Sequence, residues 1–175
     1  MPRFPLALSL AVVLSAVIAP VGIAAVDPAE WDAAVDAALA VDPTLDLPSN
    51  DPAIATAVGG GHPVGAFVEA FGFGATSGPA GVNGRMTLDL GFGNTLHADV
   101  VCLAVARLGD DRRVATIVGA LEPNDVVQQP LMVFHVTDSG PGEPDMWHSQ
   151  FSTLDPCIAF GSTTPIDGGI AINVP

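Results

Sequence analysis

Asn83-Gly84-Arg85-Met86-Thr87-Leu88-Asp89-Leu90-Gly91-Phe92-Gly93-Asn94 decides the fold class. Met86, Leu88 and Leu90 fall on one side of an extended chain and Thr87 and Asp89 on the other. That period of two belongs to a half-buried strand. Asn83-Gly84 before it and Gly93-Asn94 after it read as turns, because both residue types tolerate positive φ. The same grammar repeats outward on both sides. β-type runs at 54–58, 64–74, 85–90, 95–106, 114–121, 131–137, 147–153 and 170–174 are separated by Gly, Asn, Asp and Pro clusters. Gly59-Gly60-Gly61, Gly109-Asp110-Asp111 and the stretch 138–145 read as further turns. No helix-length apolar pattern follows Pro52. The expectation is an all-β domain over 53–175, an antiparallel meander of about eight strands that forms a sandwich or a barrel. Periodicity does not separate the two.

Upstream the chain changes character twice. Arg3, an uncharged run over 4–18, the breakers Pro20 and Gly22, and Ile23-Ala24-Ala25 have the order of a secretory signal peptide, expected over 1–25. The apolar run is shorter than the roughly 20 residues of a membrane-spanning helix. The expected address is therefore secreted, with no membrane span once the signal is removed. The segment 26–52 is acidic, with no basic residue. Asp27-Pro28-Ala29-Glu30 opens like a capped helix, and Trp31, Val35 and Leu39 recur at four-residue spacing. Asp42-Pro43 ends the helix, and a Pro-rich linker follows to Pro52. Whether this segment docks stays open. With few apolar residues it is expected to be dispensable for folding.

Cys102 and Cys157 are the only cysteines. An even count in an exported chain implies a bridge. It would close a loop of about 55 residues and contribute roughly 4 kcal/mol in the chain-entropy model. With no CxxC spacing, a redox pair is disfavoured. The formal net charge is −14, and setting Arg3 aside leaves four Arg against nineteen acids. Such a surface repels nucleic acid and anionic lipid. A soluble monomer at the cell exterior is expected.

Four pieces carry a family likeness: Gly59-Gly60-Gly61 with Phe71-Gly72-Phe73; Leu96 to Val105 around Cys102; Val136-Thr137-Asp138-Ser139-Gly140-Pro141-Gly142-Glu143-Pro144-Asp145; and Gly168-Gly169-Ile170-Ala171-Ile172. Together, over 59–174, they resemble a group of secreted β-domain proteins of high-GC bacteria, most of them without an assigned activity. The resemblance implies export and a β-fold. It brings no catalytic residues.

The chemistry-bearing residues give little else. His62, His97, His135 and His148 lack the close spacing of a zinc loop, and a site shared by His97 and His135 would need strands to bring them together. No nucleophile elbow and no Gly-rich loop before a helix occurs, so no catalytic residue is assigned. The rival reading is an extracellular hydrolase using surface carboxylates. Asp138, Glu143 and Asp145, with Ser139 and nearby carbonyls, form the candidate calcium loop, although the EF-hand spacing is absent. Calcium is the one cofactor considered. In Phe67-Val68-Glu69-Ala70-Phe71-Gly72-Phe73, alternation puts Glu69 on the side of three phenylalanines. That face is expected in the core, with Glu69 at its rim or in a bulge and paired to Arg85.

Overall fold

The computed structural model describes residues 26–109, 112–154, 157–159 and 161–175. The expected signal peptide over 1–25, the expected turn aspartates 110 and 111, and Pro156 before the second cysteine lie outside the described residues.

Among the described residues, one helix precedes eight strands: α1 (Pro28–Val41), β1 (Ala55–Pro63), β2 (Ala70–Gly78), β3 (Gly81–Asp89), β4 (Thr95–Leu108), β5 (Arg112–Leu121), β6 (Leu131–Asp138), β7 (Met146–Ser152) and β8 (Ile166–Asn173). Every named pairing is antiparallel, in the order β7-β6-β5-β4-β3-β2-β1-β8. The chain is thus a meander whose last strand returns to pair with the first. The single sheet curls into a nearly closed barrel, and Met146 bridges Pro165 where its two ends approach. Of the two architectures left open by periodicity, the barrel is the one adopted.

The inward positions bury Phe71, Phe73, Met86, Leu88, Ile117, Met132, Phe134, Trp147, Ile170 and Ile172. Trp147 stacks on Phe71 at 4.6 Å, and Phe134 meets both edge-on. Offset-stacked and edge-on pairs are the favoured aromatic geometries. Met86 and Leu88 point inward, as the period of two requires.

Two glycine readings need correction. Gly59-Gly60-Gly61 is not a turn but the middle of β1, paired with β2 and β8. Its glycines serve close approach. A Cβ on Gly60 would stand 2.7 Å from the carbonyl oxygen of Ala37 in α1. Asn83-Gly84 likewise lies inside β3, opposite Thr76 and Ala75. The hairpin turns instead at Pro79-Ala80, between the paired Gly78 and Gly81. Gly84 has φ 142°, and a side chain there would run into the Gly74 carbonyl. Asn-Gly has the composition of a turn, but its second residue also suits a crowded strand.

The Phe67 register fails too. β2 begins at Ala70, so 64–69 is a loop, Phe67 is fully exposed, and only Phe71 and Phe73 reach the core. Glu69 is exposed and makes no pair with Arg85. Arg85 Nη2 instead donates to Glu122 Oε1 at 2.8 Å. The loop break removes the alternation on which the expected pairing rested.

α1 lies where 26–52 is expected to be helical, with Asp27 Oδ1 accepting from Ala29 N–H at 2.8 Å. Its buried stripe is Trp31, Ala34 and Ala38, whereas Val35 is half-buried and Leu39 is exposed. Small residues win because the helix backbone rests on glycine-rich strand backbone at Gly60, Gly72 and Gly169. Val26, Leu45, Val58 and Ala171 complete this second core. The expectation that 26–52 is dispensable does not fit that packing. Cys102 and Cys157 stand at disulfide distance, with Cα atoms 6.0 Å apart. Cys102 follows a bulge at Val100/Cys102 and is buried with Val118 and Val133 on the outer face.

A chain starting at Ala53 is expected to lose roughly 5 kcal/mol, given about 1.5–3 kcal/mol for each large apolar side chain removed from burial. The melting temperature should fall by about 10 °C or more. Gly60→Ala should destabilise by at least about 1 kcal/mol through overpacking. Thermal melts of both variants that stay within a degree or two of the parent would show that the helix adds nothing.

Candidate functional site

The barrel's imperfect closure gathers four charged side chains that are buried or half-buried: Glu30, Arg113, Asp138 and Asp145. β8 runs on past the start of β7, and carboxylates receive the N–H groups of its outer edge. Asp145 Oδ2 accepts from Ile170 N–H at 2.7 Å, and its Oδ1 accepts from Ser139 N–H at 3.0 Å. Asp138 Oδ2 accepts from Ile172 N–H at 3.3 Å and from Arg113 Nη1 at 2.9 Å, and its Oδ1 accepts from Gly140 N–H at 3.1 Å. Arg113 on β5 is the register partner of Asp138 on β6, which fixes that ion pair. Glu30, in the first turn of α1, stands 3.9 Å from Arg113.

Glu30 and Asp145 hold their protons unusually well. Burial, then the charge and hydrogen bond of Asp138, push Glu30 up from 4.5 to about 7, against the pull of Arg113. Arg113 loses that contest because its guanidinium is already committed to Asp138 at 2.9 Å. Burial pushes Asp145 up from 3.8 to about 6, more than its two backbone hydrogen bonds pull it down. A cleft of about 370 Å³ opens beside them, lined by Asp27, Glu30, Gly140, Pro141, Glu143 and Asp145.

The calcium candidates are therefore placed as follows. Asp138 and Asp145 meet at the seam, with their oxygens accepting from N–H donors, and Glu143 is exposed in the loop between them. Among the described residues, no group of three or more His, Cys, Asp or Glu is arranged to hold a metal ion. Calcium takes six to eight oxygens, and here the aspartate oxygens already serve the backbone.

The histidines separate into distinct settings. His62 Nδ1 lies 2.7 Å from the Glu69 carbonyl. His97 Nδ1 lies 3.1 Å from Thr87 Oγ1, which donates to Asp42 Oδ2 at 2.6 Å. Burial would raise Asp42, but the hydrogen bonds of Thr44 and Thr87 outweigh it and hold the carboxyl below its usual range. Thr87 is buried and gives its one proton to Asp42, so this Asp-Thr-His line has no exposed nucleophile. His135 does not meet His97. It faces His148 across β6 and β7, with ring centroids 6.4 Å apart and planes within 6°.

Two aromatic side chains stand outside the core, Phe67 against the sequence expectation and Phe92 without one. Phe67 in the β1–β2 loop and Phe92 in the β3–β4 loop are both fully exposed. The loops adjoin, because Glu69 N–H donates to the Asp89 carbonyl at 2.9 Å. Phe92 also has φ 55°, between Gly91 at 79° and Gly93 at 77°. A bulky residue in the left-handed region is uncommon, and such strain clusters at functional sites. The Gly-Phe-Gly sequence was the available signal. Trp147, by contrast, is in the core.

The seam generates a pH dependence. The folded values of Glu30 and Asp145 lie above their ordinary ones, so the fold favours the protonated forms. Their stabilisation is full at low pH and is lost as pH rises through about 6 for Asp145 and about 7 for Glu30. The melting temperature should drop by several degrees between pH 5 and 8. Glu30→Gln keeps a donor for Asp138 without the charge. It should flatten the upper part of that slope and melt above the parent at pH 8. A slope identical to the parent's would reject this role for Glu30.

No family model matches the chain, and neither a curated protein nor a solved structure matches it.

Proposed function

We propose that this chain is an exported, monomeric domain that binds a protein partner at the cell exterior through the loop end carrying Phe67 and Phe92. Phe92 carries the reading. A backbone strained into the left-handed region holds a phenylalanine wholly in water, where it lowers no folding free energy. Exposed aromatics of this kind are typical binding hot spots. Glu69 and Asp89 lie beside the two phenylalanines, and the chain's overall charge is −14. The matching partner surface is apolar with basic flanks.

Export is supported by the Arg3-to-Ala25 pattern and by two cysteines placed within disulfide distance. The hydrolase reading is less well supported. It needs carboxylates available to substrate, and Asp138 and Asp145 accept from backbone and guanidinium donors instead. The structural or binding role proposed here asks nothing catalytic of them.

The test is affinity capture from the cell-envelope fraction of the producing organism, with the parent and with Phe67→Ser/Phe92→Ser. The parent should retain a defined partner whose binding weakens in high salt. Each substitution should cost about 2 kcal/mol, roughly 30-fold in Kd, as at other aromatic hot spots. Equal capture by the double variant would overturn the proposal.

A further inference from the structure

We propose that α1 is a proton-operated latch: its first turn closes on the barrel seam at mildly acidic pH and swings away, hinged at Asp42-Pro43, as the carboxyl groups between helix and seam ionise. The proposal does not depend on the phenylalanine loops. The geometry fixes one end of the helix and crowds charge at the other. At the C-terminal end, Asp42 Oδ2 accepts from Thr87 Oγ1 at 2.6 Å, and its Oδ1 accepts from Thr44 N–H at 2.9 Å. Leu45 is buried just beyond. The first turn instead faces the seam. Glu30 stands 3.9 Å from Arg113 of β5 and is hydrogen-bonded to Asp138 of β6. Asp27, Glu143 and Asp145 line the same cleft of about 370 Å³. Five carboxyl groups, those of Asp27, Glu30, Asp138, Glu143 and Asp145, thus meet one guanidinium, which is bound to Asp138 at 2.9 Å.

The other strands under the helix add little charge. β1 and β8 carry one titratable residue each, His62 and Asp167, both exposed, and β2 carries none. Asp32 and Asp36 on the helix itself are exposed as well. Two carboxyl groups in hydrogen-bond contact need a proton between them. That proton belongs to the closed state, in which Glu30 is pushed up to about 7 and Asp145 to about 6. In the open state Glu30 is in water at a helix N-terminus, where its charge is favoured. The closed state therefore binds more protons, and closing weakens as pH rises through about 6 and about 7. The grip along the middle of the helix is light. Ala34 and Ala38 rest on backbone at Gly60, Gly72 and Gly169, so no large side chains interlock there. At the moving end the holds are the buried Trp31 and Val26, whose N–H donates to Asn173 Oδ1 at 3.2 Å. Opening uncovers Trp31 and the glycine-rich outer face of β1 and β8, where Val58 and Ala171 lie.

The test is amide hydrogen exchange of the full, oxidised chain at pH 5.5 and pH 8, corrected for the intrinsic pH dependence of exchange, which detects local opening even where the open state is a minor one. At pH 8 the amides of α1 should exchange at least about 10-fold faster than those of β4 and β5, because they open without the barrel. Their opening constant should rise by at least about 10-fold from pH 5.5 to pH 8, one titrating group supplying up to a factor of ten per pH unit within its window. Glu30→Gln should hold that rise to about 3-fold or less, since one of the two groups titrating in this window is removed. Asp36→Asn removes the same charge from an exposed position on the helix and should keep the parent's rise. Exchange of α1 in step with β4 and β5 at both pH values would show that the helix leaves only when the barrel unfolds, and would overturn the proposal. So would an opening constant that does not rise with pH in the parent, or one that rises equally in Glu30→Gln.

Discussion

A sheet that curls into a barrel must hide its last edge, and here two aspartates do part of that work. β8 pairs fully with β1 on one side, but on the other it outruns β7. The N–H groups of Ile170 and Ile172 then face Asp145 and Asp138 rather than a strand. A buried N–H without an acceptor costs about 1–3 kcal/mol, so these bonds are needed for closure rather than added to it. Charge on the acceptor strengthens each bond, and the Arg113 guanidinium offsets the charge on Asp138. Because Glu30 reaches the same cluster, the seat of the helix and the seam of the barrel share one electrostatic balance.

The helix and the aromatic interior follow from opposite uses of side-chain size. Inside, Phe71, Phe73, Phe134 and Trp147 fill the barrel. Outside, the same strands present Gly60, Gly72 and Gly169 to the helix, which comes close because it answers with Ala34 and Ala38. The alternating Phe-Gly-Phe of β2 serves both faces at once. With its interior occupied by its own side chains, the barrel leaves its outer face and loop ends as the surfaces open to other molecules. That is where Phe67, Phe92 and the His135–His148 pair lie.

Much of this was legible in the sequence, because period-two alternation depends on neighbouring residues alone. Met86-Thr87-Leu88 and the helix start at Asp27-Pro28 are local in this sense, and the Cys102–Cys157 pairing follows from the presence of only two cysteines. Where the structure departs from these local patterns, the cause is glycine, distance, or the loop that breaks alternation at Phe67. Gly59-Gly60-Gly61 and Asn83-Gly84 have the composition of turns, yet their cause is backbone approach by α1 and by β2. Of Trp31, Val35 and Leu39 only Trp31 is fully buried, because a glycine floor selects alanine beside it. The candidate site was harder still. That Asp138 and Asp145 would meet Ile170, Ile172, Arg113 and Glu30 depends on barrel stagger, which no local pattern encodes. His135 meeting His148 likewise depends on the register of β6 and β7.

The acids of this chain therefore divide by role rather than by number. Asp42, Asp138 and Asp145 act as acceptors inside the fold and spend their lone pairs on hydroxyl, backbone and guanidinium donors. Glu69, Glu143 and Asp99 stay exposed and set the external field. An acid committed to backbone donors is a poor ligand for calcium, since binding the ion would first require breaking the bonds that close the barrel.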